Sequence, residues 1–134
     1  MTTDQSPDPQ GSRVSDDDVL TFAANAIGSV WTLELLLLLH SNPDRTWQDA
    51  ELIAPLRANS RIVGESLATL SANGLAAADD AGRFRYAPAS VTLAGAVDAL
   101  VSLHRLKPMA VTNAILSGRN DKIRIFADAF RFRN

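Results

Sequence analysis

The chain has 134 residues, of which 46% are apolar, and this suits one compact domain with a sizeable core. It contains no cysteine, which excludes disulfides, thiolate metal sites and cysteine nucleophiles. The net charge of −2 is unevenly distributed, because residues 1–56 carry two arginines against nine acids and residues 57–134 carry eleven lysines and arginines against six acids. This asymmetry favours a surface that faces a polyanion, although chance segregation of surface charge predicts the same pattern equally well.

Residues 1–13 combine Pro, Asp, Ser, Gln and Gly, a composition that predicts a disordered tail. They show neither the basic segment nor the apolar run of a signal peptide, so we expect a cytoplasmic protein. The strongest apolar run, at 35–39, covers about ten residues when counted from Val30, whereas a membrane span needs roughly twenty. We therefore expect this run to form a buried central helix, without membrane association.

The first predicted helix runs from Asp16 to Ile27. Ser15, with Asp18 three positions later, resembles a capping box at its start, and Gly28 breaks the pattern at its end. Its apolar stripe consists of Val19, Leu20, Ala23 and Ile27.

A second predicted helix runs from Val30 to His40. It is apolar nearly all round, which indicates that neighbouring elements enclose it. The proline at position 43 disfavours helix at Asn42 and ends it. We expect Trp31 in this helix and Trp47 after it to lie in the core or at its edge, with ligand stacking as the alternative.

A short third helix is predicted around Leu52, Ile53 and Leu56. Thr46 lies three residues before Asp49, a spacing typical of a helix N-cap. Pro55 lacks an N–H group, so we expect the helix to end or kink near Ala54.

The fourth predicted helix is capped by Asn59 or Ser60, and the Asn-Gly pair at 73–74 predicts its left-handed end. Its inward positions are Val63, Leu67 and Leu70.

A two-stranded ribbon should follow. Residues 79–82 are turn formers. In the alternating run after them, Phe84 and Tyr86 share one face, which should be packed, and Arg83 and Arg85 share the other, which should be wet and basic.

The C-terminal part is predicted to be helical from Thr92, with an interruption at Lys107–Pro108, a short helix over 110–116 and a turn over 117–121. The stripe of the first of these helices is Leu93, Val97, Leu100, Val101 and Leu106. A last helix should face inward with Ile123, Phe126, Ala127 and Phe130 and outward with Lys122, Arg124, Arg131 and Arg133. This surplus of apolar surface predicts a homodimer whose interface lies mostly within 92–133.

Residues 51–75, ELIAPLRANSRIVGESLATLSANGL, resemble the winged helix-turn-helix of MarR-like bacterial transcriptional regulators. The resemblance extends loosely through the ribbon to residue 88. It is carried by positions Glu51, Leu52, Leu56, Asn59, Ser60, Val63, Leu67, Leu70, Gly74 and Leu75. It implies a mainly α fold with a small β wing, in which 14–90 form the winged-helix domain and 91–134 a C-terminal helical extension of the same compact unit.

The resemblance also implies a DNA-binding transcriptional regulator that acts on double-stranded DNA as a homodimer. The third helix of such a domain lies in the major groove and the wing touches the backbone or minor groove. Carried over by position, the groove-facing residues are Asn59, Ser60, Arg61, Gly64, Glu65 and Ala68, and the wing contacts are Arg83 and Arg85.

The middle of that helix departs from the family. Members usually place a serine or threonine and a basic residue where this chain has Gly64 and Glu65. Glutamate is repelled by phosphate, although it can accept a hydrogen bond from a cytosine amino group. The phosphate contacts available to one chain are Arg57, Arg61, Arg83 and Arg85. The alternative is a winged-helix module that binds another protein and does not bind DNA.

We expect neither an enzyme nor a cofactor site. The chain has no glycine-rich phosphate loop and no nucleophile elbow. His40 and His104 have no second metal ligand three or four positions later, which favours structural roles. The acidic run at 16–18 could bind a cation, but acids are also common at helix N-termini.

Overall fold

The computed structural model describes residues 15–118, which form a mainly helical unit with a small two-stranded antiparallel sheet. The helices are α1 (Asp16–Phe22), which continues as a π-helical turn (Ala23–Ile27), α2 (Val30–Ser41), α3 (Ile53–Leu56) after a 3₁₀ turn (Asp49–Leu52), α4 (Ser60–Ala72) and α5 (Val91–Leu106). A further helix, α6, covers 108–118. The strands are β1 (Ala76–Ala78) and β2 (Phe84–Tyr86).

The predicted start of the first helix is confirmed. The Ser15 hydroxyl accepts a hydrogen bond from the backbone N–H of Asp18 at 3.1 Å. The predicted span is helical to Ile27, but its last turn widens to π geometry, which the apolar spacing does not reveal. Gly28 ends it in the left-handed conformation, with φ of 78°.

The second helix is enclosed as predicted, with one exception. The Ser29 hydroxyl caps it, and five of its side chains are buried: Thr32, Leu33, Leu35, Leu36 and Leu39. Trp31 is 44% exposed, so its predicted place in the core is wrong, whereas Trp47 is only 4% exposed.

Two predictions for the third helix are wrong. Gln48, not Thr46, caps the 3₁₀ turn, in a capping box with Glu51. Pro55 lies within the helix, because the α-helical turn begins only at Ile53 and a proline in the first turn loses no intrahelical hydrogen bond. Arg57 then ends the helix in the left-handed region, with φ of 52°.

The fourth helix forms as predicted. The side-chain oxygen of Asn59 accepts from the N–H of Ile62 at 2.9 Å, and Gly74 supplies the left-handed end with φ of 75°. Val63, Leu67 and Leu70 are buried, and the helix packs against α2.

The two-stranded ribbon is confirmed, but the predicted wet face shared by Arg83 and Arg85 is wrong for Arg83, which is half-buried against Thr46 and Glu51. β1 and β2 pair antiparallel, with Ala77 opposite Arg85. Trp47 forms an isolated bridge with Phe84, so the chain between α2 and α3 adds one strand position to the sheet. Phe84 and Tyr86 pack against the core, and Arg85 between them is exposed.

The predicted apolar stripe of α5 is confirmed in part. Val97 and Leu100 are buried as predicted, and so is Leu103, but Leu106 is 78% exposed. Nine residues of helix rotate a side chain by roughly half a turn, which places Leu106 opposite Val97. Residues 117 and 118 are helical, so the predicted turn does not begin there. The predicted tail at 1–13 and last helix from 121 lie outside the described residues.

Candidate functional site

The sequence-predicted site residues lie on α4 and the ribbon, on a surface we call the outer face. On α4 it comprises Ser60, Arg61, Gly64, Glu65 and Ala68, all exposed, and on the ribbon Arg83 and Arg85. Asn59 is exposed beside them, but its side-chain oxygen is occupied by the helix cap.

Arg61 and Glu65 form an ion pair along the helix. Arg61 Nε donates to Glu65 Oε2 at 3.2 Å, and the two side chains are 83% and 64% exposed. Exposed pairs with this i,i+4 spacing are worth about 0.3–0.5 kcal/mol. The pair therefore neutralises the charge of the helix surface without holding either side chain rigidly.

Arg83 is directed toward the body of the protein. Its Nε donates to Thr46 Oγ1 at 3.1 Å, and its Nη2 lies 3.6 Å from Glu51 Oε1. That same Glu51 oxygen accepts from the backbone N–H of Gln48 at 2.7 Å. Arg83 thus ties the ribbon to the start of the 3₁₀ turn, whereas Arg85 points to solvent.

Glu51 also holds a second arginine. Arg45 Nη2 lies 3.9 Å from Glu51 Oε2, and the Arg45 guanidinium stacks 3.5 Å from the centre of the Trp47 ring. The carboxylate therefore lies between Arg45 and Arg83 and reduces the positive potential at the base of the ribbon.

The ribbon turn is built around an acid. The Asp79 carboxylate accepts from the backbone N–H groups of Ala81 and Arg83, each at 2.9 Å. Asp80 next to it is exposed. Carboxylates of the same chain therefore lie beside two of the three arginines of the outer face, Glu65 beside Arg61 and Glu51 beside Arg83.

A groove of about 430 Å³ runs beside α4, between that helix and the start of α2. Trp31, Ile62, Glu65 and Thr69 are among its lining residues. A second groove of about 390 Å³, between α2 and α3, shares Trp31 and is lined also by Glu34. Sequence reasoning missed this position of Trp31. The available signal was Glu34 three residues later, which marks the exposed side of an otherwise apolar helix.

A chain of hydroxyl groups underlies the first groove. Ser29 Oγ lies 2.8 Å from Thr32 Oγ1, which in turn donates to Ser66 Oγ at 3.3 Å. Thr32 and Ser66 are 3% and 4% exposed, so this bond joins α2 to α4 inside the core.

His40 links α2 to α5. Its Nε2 lies 2.9 Å from Asp98 Oδ1, and its ring packs edge-on to Tyr86 with centroids 5.3 Å apart. Burial of Tyr86, and to a smaller extent the Asp98 charge, raises the pKa of the Tyr86 hydroxyl above its ordinary value. Residues 15–118 contain no group of three or more His, Asp or Glu side chains that could hold a metal ion.

Within the same residues no single helix is long and apolar enough to cross a membrane. Only the bent pair Asp16–Ile27 and Val30–Ser41, at 105° to each other, together reach that length and composition. No protein-family model, curated protein or solved structure matches the chain.

Proposed function

We propose that residues 14–90 form a winged-helix domain. The order of elements supports this, because α2, the Trp47 strand position, α3, α4, β1 and β2 follow one another as in that fold. In this reading α4 is the recognition helix, the β1–β2 ribbon is the wing, and the resemblance of 51–75 to MarR-like regulators is one of fold.

The function we propose for this domain is protein binding through the outer face, without DNA binding. One observation carries the proposal: two of the three arginines of the outer face, Arg61 and Arg83, each lie beside a glutamate of the same chain, and only Arg85 points to solvent without such a partner among the described residues. DNA binding draws its affinity from several uncompensated Lys or Arg contacts to phosphates. A face on which two of three arginines are paired with carboxylates of the same chain offers less of that attraction.

The shape of the outer face also suits a protein partner. Gly64, Ala68 and Ala72 follow one another at four-residue intervals on α4, and all three are exposed. Small side chains in such a row allow another helix to approach closely. Trp31 lies in the adjoining groove, and tryptophan is enriched among the residues that contribute most to protein interfaces.

A photo-crosslinking amino acid at Ala68 tests the proposal in cells of the source organism. We expect discrete crosslinks to polypeptide from Ala68 and none from the control position Val91, which is 90% exposed at the end of α5 remote from Leu106. Crosslinks from Ala68 to DNA would replace this proposal with the regulator.

The second candidate is a DNA-binding transcriptional regulator. The exposure of Arg57, Arg61 and Arg85 favours it, since the weak Arg61–Glu65 pair could exchange for a phosphate contact at little cost. In a dimer, the number of such contacts would double.

Binding to random duplex DNA at 50 mM salt, an ionic strength that favours non-specific contacts, separates the two candidates. For protein binding we expect no affinity from the wild type and measurable affinity from Glu65→Lys, with a salt slope of about one unit. Asp17→Lys makes the same change of charge on α1 and should create none. Wild-type binding that Arg85→Ala weakens alike on all sequences would support the regulator.

In either case the proposed protein is a homodimer. Leu106 and Met109 leave apolar side chains 78% and 66% exposed at the junction of α5 and α6, and Leu116 near the end of α6 is 46% exposed. Light scattering at tens of micromolar should give a dimeric mass, and Met109→Asp should give a monomeric one. Val91→Asp is the matched control, because Val91 is 90% exposed at the other end of α5. A monomeric wild type would remove the dimer from the proposal.

A further inference from the structure

The last described residue lies against the groove beside α4. A Cβ atom on Gly118 would lie only 2.7 Å from the Cβ of Ala24, so α6 touches the π-helical turn at this point. Ala24 is itself one of the residues that line the groove, together with Trp31. The chain therefore leaves the described region at the edge of the groove.

The remaining segment is long enough to run along α4. Sixteen residues, 119–134, follow Gly118. Even as a helix, which is compact, they would reach about 24 Å, whereas the thirteen residues of α4 span about 20 Å. The segment is therefore long enough to extend along the whole of α4.

The groove is lined by both polar and apolar residues, and the sequence of this segment offers a counterpart to the apolar ones. Ile123, Phe126, Ala127 and Phe130 lie at positions i, i+3, i+4 and i+7, which form one face of a helix. This is the spacing with which amphipathic helices dock in apolar grooves. The groove offers Trp31, 44% exposed, and the half-buried Ile62.

The charges are complementary as well. Outside that apolar face the segment carries the cations Lys122, Arg124, Arg131 and Arg133. The acid of the first groove is Glu65, and that of the second, on the other side of Trp31, is Glu34. Both carboxylates belong to exposed residues on the surface that the segment would reach first.

We propose that residues 119–134 dock on their own chain, along the groove formed by Trp31, Ile62 and Thr69. In this arrangement Phe126 and Phe130 contact the groove and not a dimer interface. The inference goes beyond the proposed function, because the contact is internal to the chain and its tests require no partner.

A disulfide trap tests the contact in the full chain, which has no cysteine of its own. Thr69→Cys combined with Ala127→Cys should oxidise rapidly to an intramolecular disulfide, at a rate independent of protein concentration. The control pair, Asp44→Cys with Ala127→Cys, places one thiol beyond the other end of α2 and should oxidise much more slowly.

Two results of this experiment would overturn the proposal. Equal oxidation rates for the two pairs would show that the segment does not prefer the groove. Disulfide-linked dimers whose yield rises with concentration would show that the segment of a second copy occupies it.

Tryptophan fluorescence gives an independent measurement. Trp47 is 4% exposed, so an aqueous quencher such as acrylamide reports mainly on Trp31. Phe126→Ala combined with Phe130→Ala should increase quenching and shift the emission to longer wavelength. Ile125→Ala, on the opposite side of the segment, is the matched control and should change neither. Unchanged fluorescence in the double variant would contradict docking over Trp31.

Discussion

The two faces of α4 differ in how strongly packing restricts the residues that can occupy them. On the inner face Val63, Leu67 and Leu70 are at most 2% exposed, and each must be apolar and of a suitable size. On the outer face Gly64 and Ala68 meet no such demand, since they contact solvent. The residues of the inner face are therefore determined by the fold, whereas those of the outer face are free to serve the binding function proposed above.

The β1–β2 ribbon repeats this division with one informative exception. Phe84 and Tyr86 face inward and Arg85 faces outward, as alternation in a strand requires. Arg83 has the charge of an outer-face residue, but Glu51 and Thr46 hold it for a structural purpose. A basic residue on a wing is thus insufficient to indicate nucleic-acid binding, because an internal partner can use its charge.

The largest expected effect comes from the inner face. Leu70 is fully buried, so Leu70→Ala removes apolar contacts and leaves a cavity. We expect the free energy of unfolding to fall by about 2–5 kcal/mol, measured by urea denaturation. Ala68→Ser, two residues away on the outer face, should change it by less than about 0.5 kcal/mol. Equal effects would mean that the two faces are not distinct in packing.

A smaller loss is expected at the polar contact of the inner face. Thr32→Val keeps the side-chain shape but leaves the buried Ser66 hydroxyl without its partner from α2. Loss of such a partner costs about 1–3 kcal/mol. Adding Ser66→Ala should recover part of the loss in the free energy of unfolding. If the loss in the double variant equalled the sum of the losses in the two single variants, the hydrogen bond would not be its cause.

On the outer face, Gly64→Ala should be stabilising. A Cβ atom built on Gly64 has no neighbouring atom within 4 Å, and alanine favours helix over glycine by about 1 kcal/mol. Thermal denaturation should show a higher Tm. If the Ala68 crosslinks are lost in this variant despite its higher stability, Gly64 is retained for close approach of the partner. A lower Tm would show that the position is not open.

The smallest effect at neutral pH is expected at Tyr86. Its hydroxyl is buried without a hydrogen-bond partner among the described residues, so Tyr86→Phe should leave stability unchanged or slightly higher. Because burial and then Asp98 raise the pKa of Tyr86, the unfolded chain releases this proton at lower pH than the folded protein does. Stability is therefore complete below the unfolded pKa and falls as the pH rises above about 10.

Urea titrations at about pH 8 and about pH 10.5, on either side of the ordinary tyrosine pKa, measure this effect. The wild type should lose more stability between them than Tyr86→Phe does. Tyr86 is the only tyrosine, so no second phenol complicates the comparison. Parallel losses in the two proteins would show that Tyr86 does not titrate differently in the folded state.

The sequence by itself determined where most helices begin and end. Ser15, Asn59 and Gly74 act through hydrogen bonds and backbone angles within a few residues of themselves, so their effect is visible in the local pattern. The inner face of α4 and the alternation of residues 84–86 in the ribbon follow from the same local periodicity. These predictions hold in the structure, whereas the predicted exposure of Arg83 does not.

Tertiary structure decided what depends on distant neighbours. Arg83 meets Thr46, 37 positions away in sequence, and His40 meets Asp98, 58 positions away, so neither pairing is encoded in local spacing. The exposure of Trp31 likewise depends on which neighbours surround α2 on each side. For the same reason the arginines of the outer face could be counted from the sequence, but the folded arrangement was needed to show which of them are paired with carboxylates of the same chain.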